Sequence, residues 1–361
     1  MPFADRGPVR LYYESRGRGP AVLLVMGLGM TLTAWWRTVP VLAESFRVLA
    51  FDNRGIGRSE PSALPYSLGD MADDAIAVLD AAGEDAAHVY GISLGGMVAQ
   101  QIALRHPDRL RALVLGATTA GGSRAIPPRE PALSFFARAV AMGPEETVWA
   151  SVPYIYAERT RRRHADRIAQ DIARRVRFPT DPVAYGRQLA AAVAHMTAAR
   201  LDRIAAPTLV VHGEEDPVVP ADNARVIASC IPGAQLRLWP NAGHFYPTDE
   251  PRADREIARF LERHSHRRRA VGVAMPRVRV PGRCRARARR TADLVLARTE
   301  AVLRALVPLR FPIPRYGRLT AEQVLRRLDR LSTADLERVR RREREERERK
   351  TILQAIDRRL D

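Results

Sequence analysis

The sequence is poor in cysteine, aromatics and long apolar runs, and Lys350 is its only lysine. Two cysteines, Cys230 and Cys284, exclude a disulfide framework and a Cys-rich metal site; they read as incidental thiols in a reducing compartment. No stretch approaches about 18 consecutive apolar residues, and the N-terminal residues lack the apolar run of a signal peptide. A cytoplasmic protein is the expectation. What is present fits that class: 361 residues, 46% hydrophobic and 28% charged, enough to bury a full core without staples.

The net charge of +18 is unevenly spread. Residues 266–361 hold 28 basic and 12 acidic residues, or +16, and residues 1–265 hold 31 and 29, or +2. A near-neutral body therefore precedes a strongly basic tail, and each needs its own functional argument.

In the body, β-rich apolar runs alternate with helical patterns, as in βα units around a largely parallel sheet. Strands are expected over 9–14, 21–26, 47–52, 87–92, 111–115, 208–212 and 235–239, and helices over 68–82 and 97–104. Roughly 90 residues separate the strand ending at Leu115 from the one opening at Thr208, far beyond the usual connection of about 2 to 6 residues. Helical patterns over 132–142, 144–154, 158–176 and 182–196 fill the gap and predict a helical cap, with a core over 1–120 and 201–265 and the cap over 121–200. Cap aromatics such as Phe135, Phe136, Trp149, Tyr154, Tyr156 and Tyr185 read equally as cap core or as cavity lining.

The run Gly91-Ile92-Ser93-Leu94-Gly95-Gly96 joins an expected strand to an expected helix. That is G-x-S-x-G in the strand-turn-helix setting the motif requires, with Gly91 and Gly95 allowing strand and helix to approach around a strained serine. A serine hydroxyl is a weak nucleophile at neutral pH and needs a base, which in turn needs an orienting acid. The strand over 208–212 is followed by Gly213-Glu214-Glu215-Asp216, and the strand over 235–239 by Gly243-His244. Ser93, Asp216 and His244 thus fall in the chain order Ser, Asp, His, all beyond the carboxyl ends of strands, where ligands gather in open α/β sheets. Glu214 or Glu215 replaces Asp216 if the turn is shifted. No acid follows the strand over 111–115.

On these three motifs the body resembles the α/β-hydrolase fold superfamily, its serine esterases and lactonases in particular, and Asp52-Asn53-Arg54-Gly55-Ile56-Gly57-Arg58-Ser59 is similar to a Gly-rich turn of the same family. The resemblance implies a catalytic triad of Ser93, His244 and Asp216 and an oxyanion hole built from the backbone N–H groups of Leu94 and Leu28. Met26-Gly27 stands where the family often has His-Gly, so one side chain that steadies the loop is missing. Serine at the nucleophile position, rather than the aspartate of epoxide hydrolases and haloalkane dehalogenases, implies an acyl-enzyme and hydrolysis of a carboxylic ester, lactone or thioester, with no metal and no organic cofactor. Acyl transfer or perhydrolysis on the same triad, and a non-catalytic binding protein on this fold, are the alternatives. His88 and His212 read as packing histidines, His195 as a structural or substrate-facing cap residue, and Arg54 and Arg58 as turn-stabilising or solvent-facing.

Residues 266–290 are Arg-dense and read as a charged linker, and 291–361 as a basic helical extension. An amphipathic helix is expected over 293–310. Two more follow, the first opened by the capping box Thr320-Ala321-Glu322-Gln323, the second by Ser332-Thr333-Ala334-Asp335 and carrying the pairs Glu343 with Arg347, Glu345 with Arg349 and Glu346 with Lys350. A solvated interaction tail is the first reading, attachment to an anionic lipid surface the second, and nucleic-acid binding the last, for want of aromatic interleaving.

Overall fold

The computed structural model describes residues 3–139, 142–265, 319–329, 331, 333–344 and 349–360. The Arg-rich linker over 266–290, the helix expected over 293–310, Cys284 and Ser332 lie outside them. Two compact units divide at residues 297 and 298.

Eight strands form one sheet: β1 (Phe3–Arg6), β2 (Val9–Arg16), β3 (Ala21–Val25), β4 (Arg47–Phe51), β5 (Ala87–Ile92), β6 (Leu110–Gly116), β7 (Thr208–Gly213) and β8 (Gln235–Trp239), in the order β1-β2-β4-β3-β5-β6-β7-β8. β1 and β2 pair antiparallel, as do β2 and β4, and the remaining pairs are parallel. Every residue of β3, β5 and β7 is buried, because helices cover both faces of a parallel sheet. The period of two then sorts the side chains into two cores. Leu23, Val25, Val89 and Leu113 face one way, and Val22, Leu24, Tyr90 and Val114 the other.

Helices α1 (Thr38–Leu42), α2 (Leu68–Ala81) and α3 (Leu94–Arg105) follow β3, β4 and β5. A capping box between Ser67 and Asp70 opens α2, whose Met71, Ala75, Val78 and Leu79 join the first core. Between β6 and β7 stand α4 (Ala132–Ala139), α5 (Pro144–Ala150), α6 (Val152–Ile155), α7 (Glu158–Arg163), α8 (Ala165–Arg175) and α9 (Pro182–Val193). The single helix expected over 158–176 is two, because His164 leaves helical backbone at φ −137° and ψ 40°. The one expected over 144–154 also divides, at Ser151. After β7 come α10 (Asp222–Cys230), α11 (Tyr246–Asp249) and α12 (Ala253–Arg263). β1, α1, α10 and α12 had no counterpart in the sequence reading, although Ala253, Ile257, Phe260 and Leu261 form a plain helical stripe that packs on the second core.

The second unit has helices over Ala321–Leu328, Thr333–Arg342 and Lys350–Leu360. The expected capping box between Thr320 and Gln323 is present. The second expected helix, with its pairs out to Lys350, is corrected: a helix over Thr333–Arg342 and another over Lys350–Leu360 stand in its place, and Arg340 lies 3.2 Å from Asp357, which 17 residues of straight helix would hold about 25 Å away. Val324, Leu328, Leu336, Val339, Ile352 and Ile356 make a small core of their own. Arg349 reaches the fully buried Glu343, while Glu345, Glu346 and Arg347 of the expected pairs lie outside the described residues.

Candidate active site

Ser93 stands between β5 and α3 with φ 57° and ψ −121°, one of two non-glycine residues among those described that adopt a positive φ. That strain of about 1 to 3 kcal/mol needs a surround that enforces it. The Ser93 N–H donates to Gly116 O at 2.9 Å, and the Thr118 hydroxyl donates to Ser93 O at 2.8 Å. Glycine is required on both sides: a Cβ on Gly91 would strike the Gly95 carbonyl, and one on Gly95 would strike the Val25 carbonyl. The side chain of Ser93 is left half-exposed.

β7 and β8 bring the acid and the imidazole together. His244 Nδ1 is 2.7 Å from Asp216 Oδ2. Asp216 is fully buried, and its Oδ1 accepts the N–H groups of Val218 at 2.8 Å and Val219 at 2.9 Å. Burial alone would raise its carboxyl, but the charge of His244 and hydrogen bonds from His212 and His244 outweigh it and hold the group at about 2. Glu214 and Glu215 are engaged elsewhere, Glu214 with Arg225 at 3.4 Å and Glu215 with the Glu158 N–H at 3.1 Å. The register of the turn therefore puts Asp216, not its neighbours, on His244. No hydrogen bond joins His244 Nε2 to Ser93 Oγ among the described residues; such contacts commonly tighten only around a bound substrate.

Opposite Ser93 runs the loop after β3. A Cβ on Gly27 would stand 3.3 Å from Ser93 Cβ and 3.8 Å from its Oγ. The next N–H, that of Leu28, and the N–H of Leu94 at the start of α3 donate to no protein acceptor among the described residues. The loop lacks the histidine that the resemblance leads one to expect, yet it is held from three sides. Gly29 N–H donates to Gln188 Oε1 at 2.9 Å, Thr180 Oγ1 donates to Gly29 O at 2.5 Å, and Asn53 Nδ2 donates to Met26 O at 3.1 Å. Sequence reasoning missed Gln188 and Thr180, which lie some 150 residues away with no motif to mark them, and gave Asn53 no such role although it stands in the Gly-rich turn.

His212 is the other omission. It is fully buried, donating from Nε2 to Val219 O at 2.7 Å while its Nδ1 has no partner among the described residues, and the same Nε2 is 3.1 Å from Asp216 Oδ2. His88 faces Ser265 Oγ at 3.0 Å and His195 faces Thr197 Oγ1 at 3.2 Å, with burial first among the causes that hold them at about 3 and about 4. Arg54 is buried in a two-pronged pair with Asp74 at 2.6 Å, and Arg58 covers the Tyr12 ring at 4.0 Å. Asp249 accepts from the N–H groups of Gly243 at 2.7 Å and Ala157 at 3.1 Å, which ties the His244 loop to α7; burial raises its carboxyl to about 6.

The family model of the alpha/beta hydrolase fold matches residues 20–251. RutD of Variovorax paradoxus, named as a carbamate hydrolase, is 35% identical over 265 residues, which are 71% of this chain and 97% of the relative. Among solved structures, an enol-lactonase from Burkholderia xenovorans superposes with a TM-score of 0.64 at 26% identity, covering 72% of this chain and all of that one. A thermophilic esterase from Thermogutta terrifontis superposes at 0.63 with 29% identity, over 72% of this chain and 97% of that one. The chain belongs to the α/β-hydrolase fold family, and with such relatives it is a hydrolase.

Proposed function

We propose that the protein is a serine hydrolase that cleaves a carboxylic ester, lactone or thioester through an acyl-enzyme. The observation that carries this reading is the 2.7 Å contact of His244 Nδ1 with the buried Asp216 carboxylate, at the same end of the sheet as the left-handed Ser93. Asp216 keeps the proton of His244 on Nδ1, so Nε2 is free to take the proton of Ser93 Oγ as that oxygen attacks the substrate carbonyl carbon. Negative charge then grows on the carbonyl oxygen, and the unpaired N–H groups of Leu28 and Leu94 are the donors for it, each worth roughly 3 to 4 kcal/mol of transition-state stabilisation. His244 returns the proton to the leaving oxygen or sulfur. Water, activated by the same imidazole, releases the acyl group from Ser93. The helices over 132–193 serve as the cap over this site.

Labelling with a fluorophosphonate probe tests the nucleophile. The wild type should take the label and Ser93→Ala should not, with parallel loss of turnover on a panel of p-nitrophenyl esters and lactones of graded chain length. An unlabelled, inactive wild type would leave the fold as a binding module.

A further inference from the structure

Beside the Gly27–Gly29 loop opens a cleft whose chemistry exceeds what ester cleavage needs. Leu28, Met30, Val148, Val176, Phe178 and Tyr185 make it largely apolar, and it opens to solvent at its mouth. Set in that wall, at the last residue of α8, is the half-buried Arg175. Its Nη1 donates to Ser151 Oγ at 3.2 Å. Burial pushes the hydroxyls of Tyr156 and Tyr185 up, and the charge of Arg175 pulls both the other way, so the guanidinium is close to two further polar groups.

Other cap arginines also go without a carboxylate, Arg167 donating to Thr248 O and Arg174 to Gln170 O, but Arg175 is the one arginine that lines this cleft among the described residues. Arg175 has no carboxylate within 4 Å among the described residues. Asp171, one turn earlier on α8, is taken up by Trp36 Nε1 at 2.9 Å, Tyr156 Oη at 3.2 Å and Thr248 Oγ1 at 2.6 Å. Glu145, the acid in the cleft lining, is exposed in the first turn of α5. A partly desolvated guanidinium offers a planar fork of donors suited to a carboxylate, and an anion arriving there restores the solvation that burial removed.

We propose that Arg175 receives a free carboxylate of the substrate, so that the preferred ester, lactone or thioester carries a terminal carboxylate separated from its scissile carbonyl by an apolar spacer. This rests on the acyl-enzyme reading above for the identity of the scissile bond, but the anion site itself does not.

The test compares kcat/KM on p-nitrophenyl hemiesters of straight-chain dicarboxylic acids with neutral p-nitrophenyl esters of equal length. The wild type should favour the hemiester at its best length by about tenfold or more, Arg175→Met should erase that ratio, and Arg175→Lys should restore part of it. A ratio that does not move in Arg175→Met, or a wild type that prefers the neutral ester, overturns the proposal and leaves Arg175 as a brace for Ser151. Calorimetric titration of the free dicarboxylates onto full-length wild type and Arg175→Met separates the two readings. Binding lost with Arg175→Met in a protein that hydrolyses neither ester sustains the anion site and overturns the acyl-enzyme; hydrolysis with no dicarboxylate binding and no preference does the reverse.

Discussion

His212 Nε2 and His244 Nδ1 converge on the same oxygen of Asp216, at 3.1 Å and 2.7 Å. Both imidazoles are buried, His212 the more completely, and His212 also holds Val219 O. His212 therefore fixes where the carboxylate stands. Replacing it by Leu leaves a buried carbonyl unpaired, at about 1 to 3 kcal/mol of folding stability, and lets Asp216 drift. Turnover should fall roughly tenfold with little change in KM, since geometry rather than substrate binding is lost. Denaturant titration beside steady-state kinetics would check it; a stability loss with kcat intact would make His212 a packing residue only.

Asp216→Asn keeps an acceptor for the Val218 and Val219 N–H groups but presents an amide donor to His244. The imidazole would then be held in the wrong tautomer, and turnover should fall by about 10⁴ with the thermal transition nearly unchanged. Activity retained in this variant, and lost in Glu214→Gln or Glu215→Gln, would reassign the orienting acid.

Asp254 gives stability a pH dependence of known sign. It is fully buried in α12, accepts from Thr38 Oγ1 at 2.9 Å, and has no partner for its Oδ1 among the described residues. Burial raises its carboxyl from 3.8 to about 7, against the smaller pull of the Thr38 hydroxyl. The folded chain thus binds this proton more tightly than the unfolded one. Its contribution is fully present below about pH 4 and is lost as pH rises toward 7, up to about 4 kcal/mol in all. Asp254→Asn, which stays neutral, should be more stable than wild type at pH 8 and lose the advantage at pH 4. Parallel stability curves across that range would sink the assignment.

At the turn that holds Ser93, Gly95→Ala should be far costlier than an ordinary glycine substitution in a helix. Its new Cβ meets the Val25 carbonyl, so β3 and α3 must separate. A loss of at least about 3 kcal/mol is expected, with fluorophosphonate labelling of Ser93 diminished in whatever folded protein remains. Gly83→Ala, where a Cβ meets nothing but the backbone has φ +74°, is the control for backbone strain alone and should cost about 1 to 2 kcal/mol.

Local pattern was enough to show the wound sheet, the strand-turn-helix at Ser93 and the placing of Asp216 and His244 on loops after strands, because each depends on a few adjacent residues: an apolar run, a pair of glycines, a loop after a strand. Short elements escaped it. β1 is four residues held by pairing to β2, and His164 interrupts an otherwise continuous helical stripe only through its backbone. Contacts between distant segments were beyond local pattern altogether. That Asp216 and not Glu215 meets His244 was settled by the register of the β7 turn against the loop after β8. That Gln188 and Thr180 hold the Gly29 loop, and that Arg175 stands in a cleft with no carboxylate within 4 Å among the described residues, follows from how the inserted helices pack on the sheet. Such pairings join residues tens to more than a hundred positions apart, where the chain's own periodicity carries no information and only packing decides which side chains meet.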